Sequence, residues 1–110
     1  MGMMRLSDKE RMAIKELKDF ISSRYTLMEF KLYGSKARGD NSPESDIDIM
    51  VTLRETGPKT ENDIYDRAIA LNILHDVLIS VVIFSEEELT AGPMRESPLY
   101  RIIEKEGVAV

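Results

Sequence analysis

The sequence has 110 residues, of which 43% are hydrophobic and 32% charged, a balance typical of a globular chain large enough for one hydrophobic core. It contains no cysteine, which excludes a disulfide framework and a thiolate metal site. Its 20 acidic and 15 basic residues give a net charge of −5, which argues against extensive nucleic-acid binding but is compatible with a small phosphate-bearing substrate. We expect a single domain over residues 1–110. Because no apolar segment reaches membrane length, we expect no membrane contact and a cytoplasmic location.

The first third of the chain predicts a helix and then a strand. Ser7 and Glu10 have the spacing of a capping box, and a helix is expected from about Asp8 to Ser23. Its apolar stripe consists of Ala13, Leu17, Phe20 and Ile21. Apolar and polar residues then alternate, which predicts a strand from Leu27 to Tyr33. The apolar face of that strand consists of Met28, Phe30 and Leu32.

The segment after this strand combines a glycine turn with a pair of acids. Gly34 ends the strand, and Ser35 to Arg38 can form one helical turn whose free amides point at a ligand. Turn-forming residues follow over positions 40–44. A second strand, predicted from Asp46 to Leu53, places Asp46 and Asp48 on one face and its apolar residues on the other. Two adjacent carboxylates repel each other, and a magnesium or manganese ion would relieve that repulsion.

The second half of the chain predicts further helices and strands around the same sheet. Apolar spacing indicates a helix from Glu61 to about His75, with Ile64, Ala68, Leu71 and Leu74 on its buried stripe. The β-branched run from Val77 to Phe84 is typical of a strand covered on both faces. The remaining predictions are a loop at Arg54–Thr60, a short helix between Ser85 and Gly92, a helix at Ser97–Glu106 that buries Leu99, Ile102 and Ile103, and an edge strand at Val108–Val110. This order predicts an α+β domain with a small mixed or antiparallel sheet flanked by helices.

The run from Gly34 to Gly39, GSKARG, followed after five residues by SDIDIMV at Ser45 to Val51, resembles the signature of the nucleotidyltransferase superfamily related to DNA polymerase beta. The short chain is similar to the minimal nucleotidyltransferase branch. The resemblance implies a polymerase beta-like palm fold in which Gly34, Ser35 and Arg38 bind a nucleoside triphosphate, for which ATP is the expected nucleotide. It also implies that Asp46 and Asp48 hold divalent metal ions and serve as catalytic residues. In that family, the α-phosphate is transferred to a hydroxyl and pyrophosphate leaves.

The sequence departs from the family pattern at a third acid, which family enzymes carry on a later central strand. Residues 76–83 read DVLISVVI, and no carboxylate lies inside the predicted strand. The family position falls on Ser80 or, failing that, on Leu78. Asp76 would replace the acid only if the strand were shifted along its axis. Without a third acid, catalysis would suffer more than nucleotide binding.

The resemblance and the missing third acid lead to two functions from different classes. The first is a nucleotidyltransferase that transfers AMP, and similar small proteins pair with a HEPN-domain protein as antitoxin and toxin. The second is a nucleotide-binding module that has little or no activity and acts by binding a partner protein. Transfer to an antibiotic or an RNA would need an additional substrate domain. The acceptor, the nucleotide base and the formation of a homo-oligomer stay open at this point.

Overall fold

The structure is a computed structural model that describes residues 6–40 and 45–110. Its elements are α1 (Asp8–Arg24), β1 (Leu27–Tyr33), α2 (Ser35–Arg38), β2 (Ile47–Leu53), α3 (Pro58–His75), β3 (Ile79–Ser85), α4 (Glu86–Ala91), a 3₁₀ turn (Pro93–Glu96), α5 (Pro98–Glu106) and β4 (Val108–Ala109). Residues 41–44, most of the turn predicted between the two motif halves, lie outside the described residues. Within the described ranges, no helix is both long and apolar enough to span a membrane.

The four strands form one mixed sheet in the order β3-β2-β1-β4. β1 pairs antiparallel with β2 and with β4, whereas β2 and β3 run parallel. The prediction of an α+β fold with a small mixed sheet flanked by helices is therefore confirmed. The parallel pair brings the start of β3 beside the start of β2, where Asp48 of the predicted acid pair lies.

Helices cover both faces of the sheet. On one face, α1 and α3 pack on the strands, and their buried residues include Ala13, Leu17, Ile21, Ile64, Ala68 and Leu71. On the other face, a smaller cluster joins the sheet to α4 and α5 through Met50, Phe84, Leu89, Tyr100 and Ile103. The face of β2 that carries Asp48 is therefore open at the start of the strand and buried farther along it, where Met50 is 1% exposed.

Helix α1 and its capping box are present as predicted, with the Ser7 N–H donating to Glu10 Oε1 at 2.8 Å. Helix α3, however, begins at Pro58, three positions before the predicted start. Proline fits the first turn of a helix because its φ is already helical and its missing N–H has no intrahelical acceptor there. The prediction that residues 58–60 belong to a loop was therefore wrong.

Several predicted core positions are exposed instead. Leu74 of α3 is 71% exposed. In α5, Tyr100 and Ile103 form the buried side, whereas Leu99 and Ile102 are 40% and 49% exposed. Met28 is 42% exposed because the pairing of β1 with β2 shifts between Leu27 and Glu29, leaving Met28 as the extra residue of a bulge.

The prediction for β3 was wrong in two respects, its first residue and its coverage. The strand begins at Ile79, and Asp76 is the left-handed C-cap of α3 with φ 55°. Ser80 is exposed and residues 81–83 are only partly buried. The reason is its place in the fold: β3 is an edge strand, and the clusters on the two faces of the sheet bury residues 81–83 only in part.

Candidate active site

Gly34 joins β1 to α2 and touches the acid strand. Its φ of 77° lies in a region that L side chains rarely adopt. A Cβ built at Gly34 would lie 2.6 Å from Asp48 Oδ2, so a larger residue would collide with the carboxylate. Asp48 is also the direct cross-strand partner of Tyr33, the residue before Gly34. The glycine turn and Asp48 therefore belong to one site.

Ser35 is the first residue of α2, a single helical turn that ends at Gly39 with φ 81°. The Gly39 and Asp40 N–H groups donate to the Ser35 carbonyl at 2.9 and 3.2 Å, which closes the turn. Amides in the first turn of a helix have no intrahelical acceptor and can bind an anion. Ser35 adds a hydroxyl at the same end of the turn.

Asp46 directly precedes β2, which begins one position later than predicted, and Asp48 is the second residue of the strand. Asp46 is exposed and Asp48 is half-buried, whereas Ile47 between them is fully buried. Burial and then the negative charge of Asp46 raise the pKa of Asp48, although Arg38 acts in the opposite direction. Burial and the Asp48 charge also raise the pKa of the Tyr33 phenol. A cation beside the two carboxylates would relieve this repulsion, and carboxylate oxygens are ligands that magnesium and manganese accept.

The neighbouring position on β3 is occupied by Ser80. Ser80 is the direct partner of Asp48 in the parallel β2–β3 ladder, so the two side chains lie on the same face of the sheet. Asp76 lies outside β3, its carboxylate is 98% exposed, and it forms an ion pair with Lys9 at 3.4 Å. In the described part of the chain, no group of three or more histidine, cysteine or acidic side chains is arranged to hold a metal ion.

Arg38 lies at the end of α2, with its side chain 46% exposed. Its Nε donates to Asp40 Oδ2 at 3.1 Å, and one of its terminal nitrogens donates to Glu106 Oε1 at 3.0 Å. The hydrogen bond to Asp40 is the main cause that raises the pKa of Arg38; burial opposes it, and the charges of Asp40 and then Glu106 raise the pKa further. The guanidinium is thus held near the turn by α5, in a position where it neutralises part of the acid pair's charge.

Lys36 is a structural residue of the site that the sequence patterns did not reveal. It is 1% exposed, and its ammonium lies 2.8 Å from Glu10 Oε2. Glu10 accepts the Ser7 N–H with its other oxygen, so the start of α1 is tied to α2 through one carboxylate. A lysine between the serine and arginine of a phosphate-binding turn would ordinarily be assigned to solvent or ligand. Only its burial against α1 shows that it anchors the turn.

The match to known families covers this site and most of the chain. A family profile described as a nucleotidyltransferase domain matches residues 14–110. The chain belongs to this family. The match includes Gly34, Ser35, Arg38, Asp46 and Asp48, together with all four strands.

Two archaeal relatives of this nucleotidyltransferase domain come from Methanocaldococcus jannaschii, and both are described as candidate protein adenylyltransferases. One is 35% identical over 80 residues, which cover 71% of this chain and 76% of the relative. The other is 36% identical over 79 residues, which cover 66% of this chain and 77% of the relative. These similarities support nucleotidyltransferase activity in general terms.

Solved structures of nucleotidyltransferases share the fold. A candidate minimal nucleotidyltransferase superposes with a TM-score of 0.61 at 21% identity, covering 94% of this chain and 97% of that one. A candidate nucleotidyltransferase from Sulfolobus solfataricus superposes with a TM-score of 0.55 at 22% identity, covering 98% and 90% of the two chains. The predicted nucleotidyltransferase fold is therefore confirmed.

Proposed function

We propose that this domain binds a nucleoside triphosphate, most simply ATP, together with magnesium or manganese, and transfers its nucleotidyl group to a hydroxyl acceptor. The observation that carries the proposal is the packing of Gly34 against Asp48, because it joins a phosphate-binding turn to a pair of acids. Phosphoryl transfer depends mainly on positioning and charge stabilisation, and both are supplied by such a pair of elements.

Each residue has a separate role in the proposed reaction. Ser35 and the amides of α2 bind the outer phosphates, and Arg38 offsets their negative charge. Asp46 and Asp48 hold the divalent cation, which when bound supplies positive charge for the developing and departing phosphate oxygens. The acceptor oxygen forms a bond to the α-phosphorus as the bond to the β-phosphate oxygen breaks. Pyrophosphate leaves, and the acceptor proton passes to solvent or to a carboxylate.

A hydroxyl of a protein is the acceptor that the relatives support, since both are described as candidate protein adenylyltransferases. The resemblance to small antitoxins suggests a HEPN-domain protein as the partner that carries this hydroxyl. We therefore propose AMP transfer to a HEPN-domain toxin as the specific form of the reaction.

A nucleotide-binding module with little turnover is the second candidate, and Ser80 is the observation that favours it. Ser80 occupies the position beside Asp48, and a neutral hydroxyl there is a poorer base and a weaker cation ligand than a carboxylate. Such a module would bind its partner tightly and leave it unmodified.

The test uses ATP labelled at the α-phosphate, magnesium, the purified domain and the protein encoded next to it as the candidate partner. Label transferred to the partner supports the enzyme, whereas a stable complex without label supports the binding module. In parallel, magnesium-dependent ATP affinity is measured for the double variant Asp46→Asn/Asp48→Asn. Asp66→Asn serves as the matched control, because Asp66 is an exposed acid on α3.

We expect the double variant to lose magnesium-dependent ATP binding by about tenfold or more and the control to behave like the wild type. Equal magnesium-dependent affinity in all three proteins would refute the assignment of Asp46 and Asp48 to the metal site.

A further inference from the structure

Strand β3 forms one edge of the sheet, and part of that edge is open. Asn72 of α3 covers the first residue: the Ile79 N–H donates to Asn72 Oδ1 at 2.7 Å, and Asn72 Nδ2 donates to the Ile79 carbonyl at 3.2 Å. On the other side of the strand, the Leu78 carbonyl accepts the Ile47 N–H from β2 at 2.7 Å. Polar backbone groups of alternate strand residues point to the same side, so those of Val81 and Ile83 point outward with those of Ile79.

The open part of the edge is short and has defined ends. Asn72 closes it at Ile79, and at the other end the Ser85 N–H donates to Glu88 Oε1 at 3.2 Å. Between these ends, the outward N–H and C=O groups of Val81 and Ile83 have no hydrogen-bond partner among residues 6–40 and 45–110. An edge strand without charge, proline or bulge offers no obstacle to pairing with another strand, and β3 has the sequence ISVVIFS.

An exposed apolar stripe on α3 lies beside this edge. Tyr65, Ile69 and Ile73 follow one another at four-residue intervals and are 37%, 56% and 79% exposed. Ile69 precedes Asn72 by three positions, so the stripe lies on the side of α3 that reaches the edge of β3. The stripe contains no charged side chain.

We propose that the open edge of β3 and the stripe on α3 are the interface of a homodimer. A twofold axis at Val82 pairs Val81 of each copy with Ile83 of the other in an antiparallel ladder. In this register every outward N–H and C=O group of Val81 and Ile83 gains a hydrogen-bond partner in the other copy. The ladder ends at Ile79 and Ser85, whose N–H groups are already bonded to Asn72 and Glu88. Any shifted register leaves some of these groups unpaired.

The second copy fits this surface better than a charged partner would. Because neither β3 nor the stripe carries a charge, pairing two copies through them buries no charged side chain of these two segments, although the chain has a net charge of −5. An axis perpendicular to the sheet also places both copies of α3 on the same face, so that each stripe is covered by the other. The proposal does not depend on nucleotide binding or transfer.

Sedimentation velocity of the wild-type chain over a range of micromolar concentrations tests the interface. We expect a concentration-dependent species of twice the 12.5 kDa mass of one chain. Hydrogen exchange at the Val81 and Ile83 amides should slow as dimer forms. A chain that stays monomeric throughout, or that associates without added protection at these amides, overturns the proposal.

Two variants change the interface in different ways. Val81→Pro removes an outward N–H that the sheet does not use, and Ile69→Lys/Ile73→Lys places charges on exposed positions. We expect each to weaken dimerisation by about tenfold or more while circular dichroism stays that of the wild type. Met12→Lys/Ile102→Lys is the matched control, since these residues are 55% and 49% exposed on other surfaces. A dimer that resists both interface variants, or that the control disrupts, refutes the assignment.

Discussion

The buried ion pair between Lys36 and Glu10 gives the sharpest prediction about how the site is built. Lys36→Met keeps the length and apolar stem of the side chain but removes its charge. The Glu10 carboxylate, whose side chain is 13% exposed, would then lose its partner at 2.8 Å. It would keep its contacts with Ser7, including the N–H at 2.8 Å. The variant therefore leaves a nearly buried anion without an opposing charge.

The expected loss follows from the burial of the pair. Removing one partner of a buried ion pair costs about 3–5 kcal/mol of the free energy of unfolding. Because Glu10 retains the Ser7 hydrogen bond and some exposure, we expect the lower end, about 3 kcal/mol. Domains of this kind have a total stability of about 5–15 kcal/mol, so the variant should fold but unfold at a clearly lower urea concentration.

The pH dependence distinguishes a lost ion pair from a simple packing defect. Burial acts to raise the pKa of Glu10, but the hydrogen bond and charge of Lys36, together with the Ser7 contacts, hold that pKa below its ordinary value. A depressed carboxyl pKa stabilises the fold above the pKa of the unfolded state, and this stabilisation is lost as the pH falls through the folded pKa. In Lys36→Met, protonation of Glu10 instead removes an unpaired buried charge. The difference in stability should therefore shrink from neutral pH to about pH 3.

Urea denaturation followed by circular dichroism measures these differences across the pH range. Glu10→Gln and the double variant with Lys36→Met complete a double-mutant cycle, in which glutamine can still accept the Ser7 N–H. We expect a coupling energy of about 1–3 kcal/mol between Lys36 and Glu10. Lys15→Met is the control, because its ion pair with Asp19 is exposed and should contribute little. A loss below about 1 kcal/mol at neutral pH, or a difference independent of pH, would refute the reasoning.

Three further substitutions probe the turn and the position beside the acids. Gly34→Ala should destabilise the fold by about 1–3 kcal/mol and weaken ATP binding, because the added Cβ meets Asp48 and the φ of this residue is positive. Gly57→Ala is the control, since nothing lies within 4 Å of a Cβ there, and calorimetry should show neither effect for it. Ser80→Asp should raise magnesium-dependent transfer of labelled AMP by about 10²-fold, and an unchanged rate would mean that this position does not limit the reaction. Arg38→Gln should lower the affinity for ATP at low salt. It should not shift the urea midpoint, because the Arg38 side chain is 46% exposed and its ion pairs contribute little to stability. An ATP affinity equal to that of the wild type would show that Arg38 does not belong to the site.

Local chemistry explains which structural predictions succeeded. The capping box at Ser7 and Glu10, the alternation of β1 and the turn at Gly34 depend on neighbouring residues, and each lies where the sequence predicted it. Errors arose where distant segments decide the outcome. The exposure of Leu74 depends on which side of α3 meets the sheet, and the bulge at Met28 depends on pairing with β2. Neither pairing nor packing can be read from a local pattern.

The sequence by itself determined the family and the residues proposed for nucleotide and metal binding, because the motif from Gly34 to Asp48 fixes residue types at short spacing. Only the tertiary structure decided what surrounds them. The parallel ladder of β2 with β3 places Ser80, and not Asp76, beside Asp48. The packing of α1 against the turn makes Lys36, which the sequence patterns did not single out, a buried anchor of the site. Both outcomes join residues far apart in the chain, and such contacts are fixed by strand order and helix packing.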